Sequence, residues 1–449
     1  MIMPYQSEKT AEKKLLFLKT YGCQMNVYDS ERMAHLLQGC NYQLTSDVKR
    51  ADLIILNTCS IREKPEHKIY SILGRLKGLK DKKPELILGV GGCVAQQEEE
   101  KLFEKAPWLD LVFGTHGINK LPQLLKAVEE KKAKVCETTM CEGGYLDEGV
   151  FASCAQGISS FVSIIRGCNN FCSFCVVPHV RGRERSRPEK EILKEVEHLA
   201  QREVKEVVLL GQNVNSYGND FAGGGGFPHL LALINEVQGI ERIRFITSHP
   251  KDLSDDLIRC FKDLDKVCEH IHLPVQSGST KILKLMNRGY TREEYLEKVD
   301  RLRKMCPEIG ITSDVIVGFP QETQEDFEDT LDLMAKVEFD DLFSFHYSDR
   351  PMTRATDFEG KISSEVKRER LKILQKIQEG YSLKKNRVMA DKVEEVLVDG
   401  VSKKDSHCMT GKTRSHKTVN FVGKDSLRGK ILSVKIKDAH LHSLSGELI

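Results

Sequence analysis

The chain of 449 residues carries 68 basic and 66 acidic side chains, a net charge of +2, which is long enough for two or three domains and too balanced to argue a nucleic-acid partner from the total. Its longest apolar runs, such as DLIILN and ELILGVGG, are strand-length and exclude a helical membrane span, and the polar start MIMPYQSEKTAEKK shows no secretory signal, so a cytoplasmic protein with no membrane partner is expected. Fourteen cysteines in a reducing compartment point away from a disulfide framework, toward metal binding, catalysis or burial.

Residues 14–135 alternate short apolar runs, KKLLFLKTYG, ADLIILNTCS, ELILGVGGCV and LDLVFGTH, with helical patterns such as SERMAHLLQ and EHKIYSILGRLKGL. That rhythm predicts a parallel sheet with helices on both faces. Cys23, Cys59 and Cys93 each follow a predicted strand end, 36 and 34 residues apart. Parallel strand ends converge on one sheet edge, so the three thiols can meet there; the spacing alone serves core burial equally well. Residues 136–157, irregular and glycine-containing, read as a linker.

From 158 to 384 the rhythm returns six times. FVSIIRG, EVVLLGQN, RIRFITSHP, HIHLPVQ, ITSDVIVGF and DLFSFHYS are strand candidates, most of them followed by an amphipathic helical pattern. Six β/α units predict a barrel or partial barrel with its chemistry at the C-terminal strand ends. Directly after the first strand come Cys168, Cys172 and Cys175, spaced C-x3-C-x2-C, and then RGRERSRP with Arg181, Arg183, Arg185 and Arg187. GGGG at 223–226 reads as a flexible surface loop. A charged amphipathic helix follows over 361–388, and from 385 to 449 short strands and turns predict a small β-barrel. GKTRS in that module lacks the glycines and helix of a phosphate loop. The other eight cysteines (Cys40, Cys136, Cys141, Cys154, Cys260, Cys268, Cys306 and Cys408) show no ligand spacing and read as small buried hydrophobes.

Thiolates are soft ligands suited to iron–sulfur clusters or zinc. Three of them on a four-iron cluster leave one iron open to a non-protein ligand, the mark of a reactive rather than a structural centre. The competing reading is a zinc knuckle that borrows His179.

C-x3-C-x2-C at the start of a β/α barrel resembles the radical S-adenosylmethionine enzymes. With YGCQMN, NTCSIREK and GGCVAQ around the first three cysteines, and LLGQNVNSYG, TSHP, HLPVQSGS and SDVIVGFPQET later, essentially the whole chain resembles the methylthiotransferases of that superfamily. The resemblance implies a multidomain α/β protein: an open parallel sheet domain (14–135), a linker (136–157), a partial (β/α)6 radical core (158–384) and a TRAM-like RNA-binding β-barrel (385–449). It implies two [4Fe-4S] clusters, one on Cys23, Cys59 and Cys93 and one on Cys168, Cys172 and Cys175. It further implies S-adenosylmethionine as cosubstrate, two per turnover, and an external electron donor.

In that family one S-adenosylmethionine methylates sulfur at the first cluster, and a second yields the radical that activates a C–H bond. NTCSIREKPEHK and CVVPHVRGRERSRP are most similar to the members that modify prenylated adenosine beside the tRNA anticodon. Other members act on threonylcarbamoyl adenosine or on a ribosomal-protein aspartate. By family position Gln212 and Asn213 contact the cosubstrate, though loop-fixing roles suit them equally. Arg181 and Arg183, the helix around Lys367–Arg387, and Lys412, Arg414, His416 and Lys417 offer positive charge to an RNA backbone. Each basic run reads equally as solvated surface, and the arginines near the cluster loop also suit a cosubstrate carboxylate. Expected partners are the tRNA anticodon loop, an electron-donor protein, and a sulfur donor or cluster-assembly proteins. From a different class, a non-enzymatic RNA-binding protein with structural zinc would share the cysteines.

Overall fold

The computed structural model describes residues 13–60, 63–131, 133–140, 157–222 and 225–449, with backbone only for 63–68. They form two compact units, the first from the described residues up to 140 and the second from those from 157 onward.

The first unit is a six-stranded parallel sheet. Its strands β1 (Lys14–Thr20), β2 (Tyr42–Leu44), β3 (Leu53–Thr58), β4 (Ile87–Gly92), β5 (Leu111–Phe113) and β6 (Val135–Glu137) lie in the order β2-β1-β3-β4-β5-β6. Alternate residues of one strand point to opposite faces. Ile54, Leu56, Leu88 and Val90 therefore meet α2 (Glu63–Lys82) through Ile69, Ile72, Leu73 and Leu76. Leu53, Ile55 and Ile87 meet α1 (Gln24–Gln38) and the helix Leu121–Lys131 through Met33, Leu37, Leu121 and Leu125 on the other face. Burial on both faces explains why β3 and β4 read as unbroken apolar runs. Strand β6 runs past residue 135, so the first two residues expected in the linker belong to the sheet, where Cys136 pairs with Val112. Edge pairing of so short a strand leaves little sequence signal. Of the expected linker, 141–156, with Cys141 and Cys154, lies outside the described residues, as do the start of the chain and the first two glycines of 223–226.

In the second unit, β7 (Ser159–Ser163), β10 (Glu206–Leu210) and β11 (Arg242–Phe245) pair in parallel, as do β12 (His270–His272), β13 (Gly310–Val317) and β14 (Asp341–His346). A parallel bridge between Ile243 and Val267 joins the two halves. This is the partial (β/α)6 barrel expected from the sequence, and its strands and helices enclose one large apolar core. Helix starts follow the local chemistry. Thr291 and Thr323 each close a capping box with the acid three residues on, Glu294 and Asp326, and such caps contribute about 0.5–2 kcal/mol each. A 24-residue helix, Ser364–Arg387, follows β14 and runs three residues beyond the expected boundary at 384. The last five strands, β15 (Val393–Val401), β16 (Cys408–Thr413), β17 (Thr418–Val422), β18 (Ile431–Ala439) and β19 (Leu444–Leu448), close into a barrel around Val396, Val398, Met409, Phe421 and Ile436.

Among the described residues no helix is long and apolar enough to cross a membrane. Cys260, Cys268 and Cys306 are buried as expected, whereas Cys40 is exposed and Cys136 and Cys408 are half-buried. Helix ends and strand edges set that difference, and spacing does not record them.

Candidate active site: two cysteine sets at strand ends

The loop bearing Cys168, Cys172 and Cys175 is tied at its base by a two-residue ladder, β8 (Ile165–Arg166) against β9 (Arg185–Ser186). Gly167 sits at φ +75, and a Cβ there would overlap the Arg183 carbonyl, so the return strand can approach only a glycine. The Cys168 N–H donates to the Gly182 carbonyl at 3.2 Å and the Cys175 N–H to the Cys172 carbonyl at 2.9 Å. Between the first two cysteines Phe171 adopts φ +46, with the Arg183 guanidinium 5.4 Å from its ring centre.

A second segment holds this loop from the side. The Asn287 amide donates to the Asn170 and Phe171 carbonyls, both at 3.0 Å, and the Ser173 N–H donates to the Met286 carbonyl at 3.0 Å. The Arg288 guanidinium donates to the Cys172 sulfur at 3.4 Å. LMNRGY carries no ligand spacing of its own, and in the sequence only its position soon after HLPVQSGS points to this role.

Burial first, with the Cys172 charge a lesser cause, pushes the Cys168 thiol up to about 11 and the Cys175 thiol up to about 12. Such thiols stay protonated without metal, and a bound cation is what makes them thiolates. Among the described residues no three His, Cys, Asp or Glu side chains stand together as ligands of a single metal ion. A four-iron cluster binds its cysteines on separate irons, so its ligands stand farther apart than those of one ion. The donor set and the cation beside it fit an anionic cluster of that kind.

The C-terminal strand ends beyond the loop are polar and partly unsatisfied. Gln212 accepts from the Gly167 N–H at 2.5 Å, so it fixes the cluster loop. Asn213 donates to Asp252 at 2.6 Å, while its own side-chain oxygen is buried with no hydrogen-bond partner among the described residues. Ser248 Oγ, His249 Nε2 and Gln276 Oε1 are likewise buried without a hydrogen-bond partner among the described residues. Leaving each such group unpaired costs about 1–3 kcal/mol. Thr247 and Gln276 also sit at positive φ, +69 and +73, and strain held at strand ends is characteristic of sites built for a ligand. TSHP and HLPVQSGS marked these positions in the sequence, but only the fold shows which atoms go unpaired.

In the first unit Cys23 caps α1, Cys59 directly follows β3 and Cys93 directly follows β4. Strands β1, β3 and β4 are adjacent, with Thr20 opposite Asn57 and Thr58 opposite Gly92, so the three cysteines leave neighbouring strands at one edge. Gly22 sits at φ +124 with its Cα against Cys59, and a Cβ there would stand 3.0 Å from the Cys59 sulfur. Asn26 donates to the Thr58 carbonyl at 2.9 Å, and its side-chain oxygen accepts from the Cys23 thiol at 3.3 Å. Asn57 ties the same edge through the Asn26 carbonyl and Ser30 Oγ, at 2.8 and 2.9 Å.

The basic residues divide. Arg183 and Arg185 are exposed, whereas Arg181 and Arg187 are buried, and Arg187 pairs with the buried Glu195. In the last barrel, Arg414 makes a bidentate pair with Glu269 at 2.7 and 2.8 Å. Lys417 pairs with Asp340 at 2.9 Å, the Lys412 ammonium donates to Thr418 at 3.2 Å, and the His416 ring lies 4.7 Å from His270. Arg414 and Lys417 thus bind the barrel to the radical core, a partnership the sequence does not show, because a basic hairpin does not reveal which surface it meets. On the long helix Arg370, Lys384 and Lys385 likewise pair with Glu322, Glu338 and Asp340.

A six-stranded parallel half-barrel with C-x3-C-x2-C after its first strand defines the radical S-adenosylmethionine class. Residues 162–334 match the model of that superfamily, 387–449 that of the TRAM domain, and 15–114 that of an uncharacterized protein family, UPF0004. The chain is 54% identical over 98% of its length to a tRNA-2-methylthio-N(6)-dimethylallyladenosine synthase of Syntrophus aciditrophicus, covering 95% of that protein. It is 52% identical over 98% of its length to the synthase so named in Caldicellulosiruptor saccharolyticus, covering 94% of it. The fold is shared with the radical S-adenosylmethionine methyltransferase TsrM of Kitasatospora setae, at TM-score 0.58, 15% identity and 77% coverage of both chains. It is shared also with the cobalamin-dependent radical enzyme OxsB, at TM-score 0.54 and 15% identity, over 82% of this chain and 56% of that one. The chain belongs to the radical S-adenosylmethionine methylthiotransferase family, enzymes that use S-adenosylmethionine and a [4Fe-4S] cluster.

Proposed function

We propose that this enzyme inserts sulfur and a methyl group at C2 of N6-isopentenyladenosine beside the tRNA anticodon. The observation that carries the reading is the presence of two three-cysteine sets, each at C-terminal strand ends, in a chain 54% identical to a synthase named for that nucleoside. Cys168, Cys172 and Cys175 would hold one four-iron cluster and Cys23, Cys59 and Cys93 a second. When bound, the clusters supply the electron for S-adenosylmethionine cleavage and an iron at which sulfur is carried.

The chain's own part is positioning. Gly167, Gln212 and Asn287 fix the loop of the barrel set, and Asn26 and Asn57 fix the edge of the first sheet. The unpaired groups of Asn213, Ser248, His249 and Gln276 offer hydrogen bonds to a polar cosubstrate. Exposed Arg183 and Arg185 supply charge for a phosphate backbone, and an unpaired loop base is cheaper to splay out than a duplex base. The reading also requires an external electron donor and a sulfur source, and places the enzyme with its tRNA in the cytoplasm.

The test is an anaerobic reaction of cluster-loaded protein with reductant, S-adenosylmethionine and tRNA bearing the prenylated adenosine, followed by nucleoside mass spectrometry. A methylthio increment on that nucleoside is expected. Deoxyadenosine without the product would reject the substrate; neither product from cluster-loaded protein would reject the reaction.

A further inference from the structure

Arg288 is a buried cation that meets a carbonyl, a phenol and a sulfur but no carboxylate among the described residues. Its side chain is 5% exposed. One terminal nitrogen donates to the Pro274 carbonyl at 2.7 Å, Nε donates to the Tyr290 hydroxyl at 3.0 Å, and the other terminal nitrogen reaches the Cys172 sulfur at 3.4 Å. Tyr290 is itself fixed, donating to the Val275 carbonyl at 2.8 Å, with the His249 ring against it at 5.7 Å. Three other buried arginines of this unit carry a carboxylate: Arg187 has Glu195, Arg244 has Glu206 and Arg370 has Glu322. Arg288 pairs with none among the described residues.

A charge removed from water without a counter-charge is strongly unfavourable, so a site that fixes one from two directions with neutral oxygens implies an anion on its third side. Cys172 stands there. A four-iron cluster on three thiolates is negatively charged, and one-electron reduction makes it more so. A fixed cation donating to one of its sulfurs favours the reduced form over the oxidised one, and the low local dielectric strengthens the effect.

We propose that Arg288 is a positioning residue that supplies the counter-charge of the cluster on Cys168, Cys172 and Cys175 and raises its reduction potential. The inference rests on the cluster assignment given above for those three cysteines. Pro274 and Tyr290 aim the guanidinium, and Cys172 is the ligand through which it acts.

The test is a mediator-equilibrated potential titration of the full-length chain, followed by electron paramagnetic resonance. Cys23→Ala, Cys59→Ala and Cys93→Ala are combined so that one cluster contributes the signal. In that background Arg288→Gln should shift the reduced-to-oxidised ratio at fixed potential about tenfold toward the oxidised form, a midpoint about 59 mV more negative for a one-electron couple. Arg288→Lys, which keeps the charge but loses the fork, should fall between. An Arg288→Gln protein with full iron and sulfide and an unchanged midpoint overturns the proposal. If Arg288→Gln fails to load while Arg288→Lys loads, the counter-charge role stands. If neither loads, shape and not charge is what Arg288 provides, and the proposal fails. A parent protein that loads no four-iron cluster at this loop would instead overturn the cluster assignment itself.

Discussion

Gly22→Ala tests the first cysteine set without replacing any of its cysteines. Gly22 lies at φ +124, a region open to glycine and strained for alanine, and its Cα faces Cys59, so the added methyl would overlap the Cys59 Cβ and stand 3.0 Å from the sulfur. Asn26 Oδ1, which accepts from the Cys23 thiol, would lie 3.1 Å from the same methyl. Backbone strain of this kind costs about 1–3 kcal/mol and overpacking at so tight an approach about 1–3 kcal/mol. Relief by moving Cys59 costs less than unfolding a domain stable by about 5–15 kcal/mol, so the sheet should survive while the edge rearranges. Iron and sulfide analysis of the reconstituted variant should show roughly half the parental content. Reductive cleavage of S-adenosylmethionine should persist while methylthiolated nucleoside is lost. Parental iron content together with parental product yield would refute the placement of Gly22 against a working ligand.

Cys59→Ala should likewise retain deoxyadenosine formation and lose methylthiolation, whereas Cys172→Ala should abolish both; chromatographic quantification of the two products separates them. Arg183→Ala with Arg185→Ala should weaken tRNA binding and reduce the slope of log affinity against log salt by about 0.7 for each phosphate no longer neutralised. Arg414→Ala should leave that slope unchanged, since its guanidinium is engaged by Glu269. Arg244→Met removes a buried guanidinium that pairs with Glu206 at 2.6 Å and donates to the Arg414 and Thr413 carbonyls at 2.8 and 2.7 Å. Breaking such a pair costs about 3–5 kcal/mol, and proteolysis should then release the C-terminal barrel several-fold faster; an unchanged digestion rate would count against that anchor.

Local sequence chemistry determined much of this protein. Period-two burial and unbroken apolar runs specify the parallel strands, Thr291 and Thr323 with acids three residues on start their helices, and C-x3-C-x2-C is a local motif whose cysteines share one loop. These signals are legible because the interacting atoms are neighbours in the chain. Cys23, Cys59 and Cys93 were legible only through strand ends and resemblance, since their meeting depends on β1, β3 and β4 being adjacent. What tertiary structure alone decided is the partnership of each charge. Arg414 and Lys417 look like an RNA-binding patch in sequence, yet they face Glu269 and Asp340 across a domain junction. Arg288, 116 residues from Cys172, gives no sign in sequence that it ends against a sulfur. A charged side chain is encoded by its residue, whereas its counter-charge is set by which strands and loops the fold brings beside it.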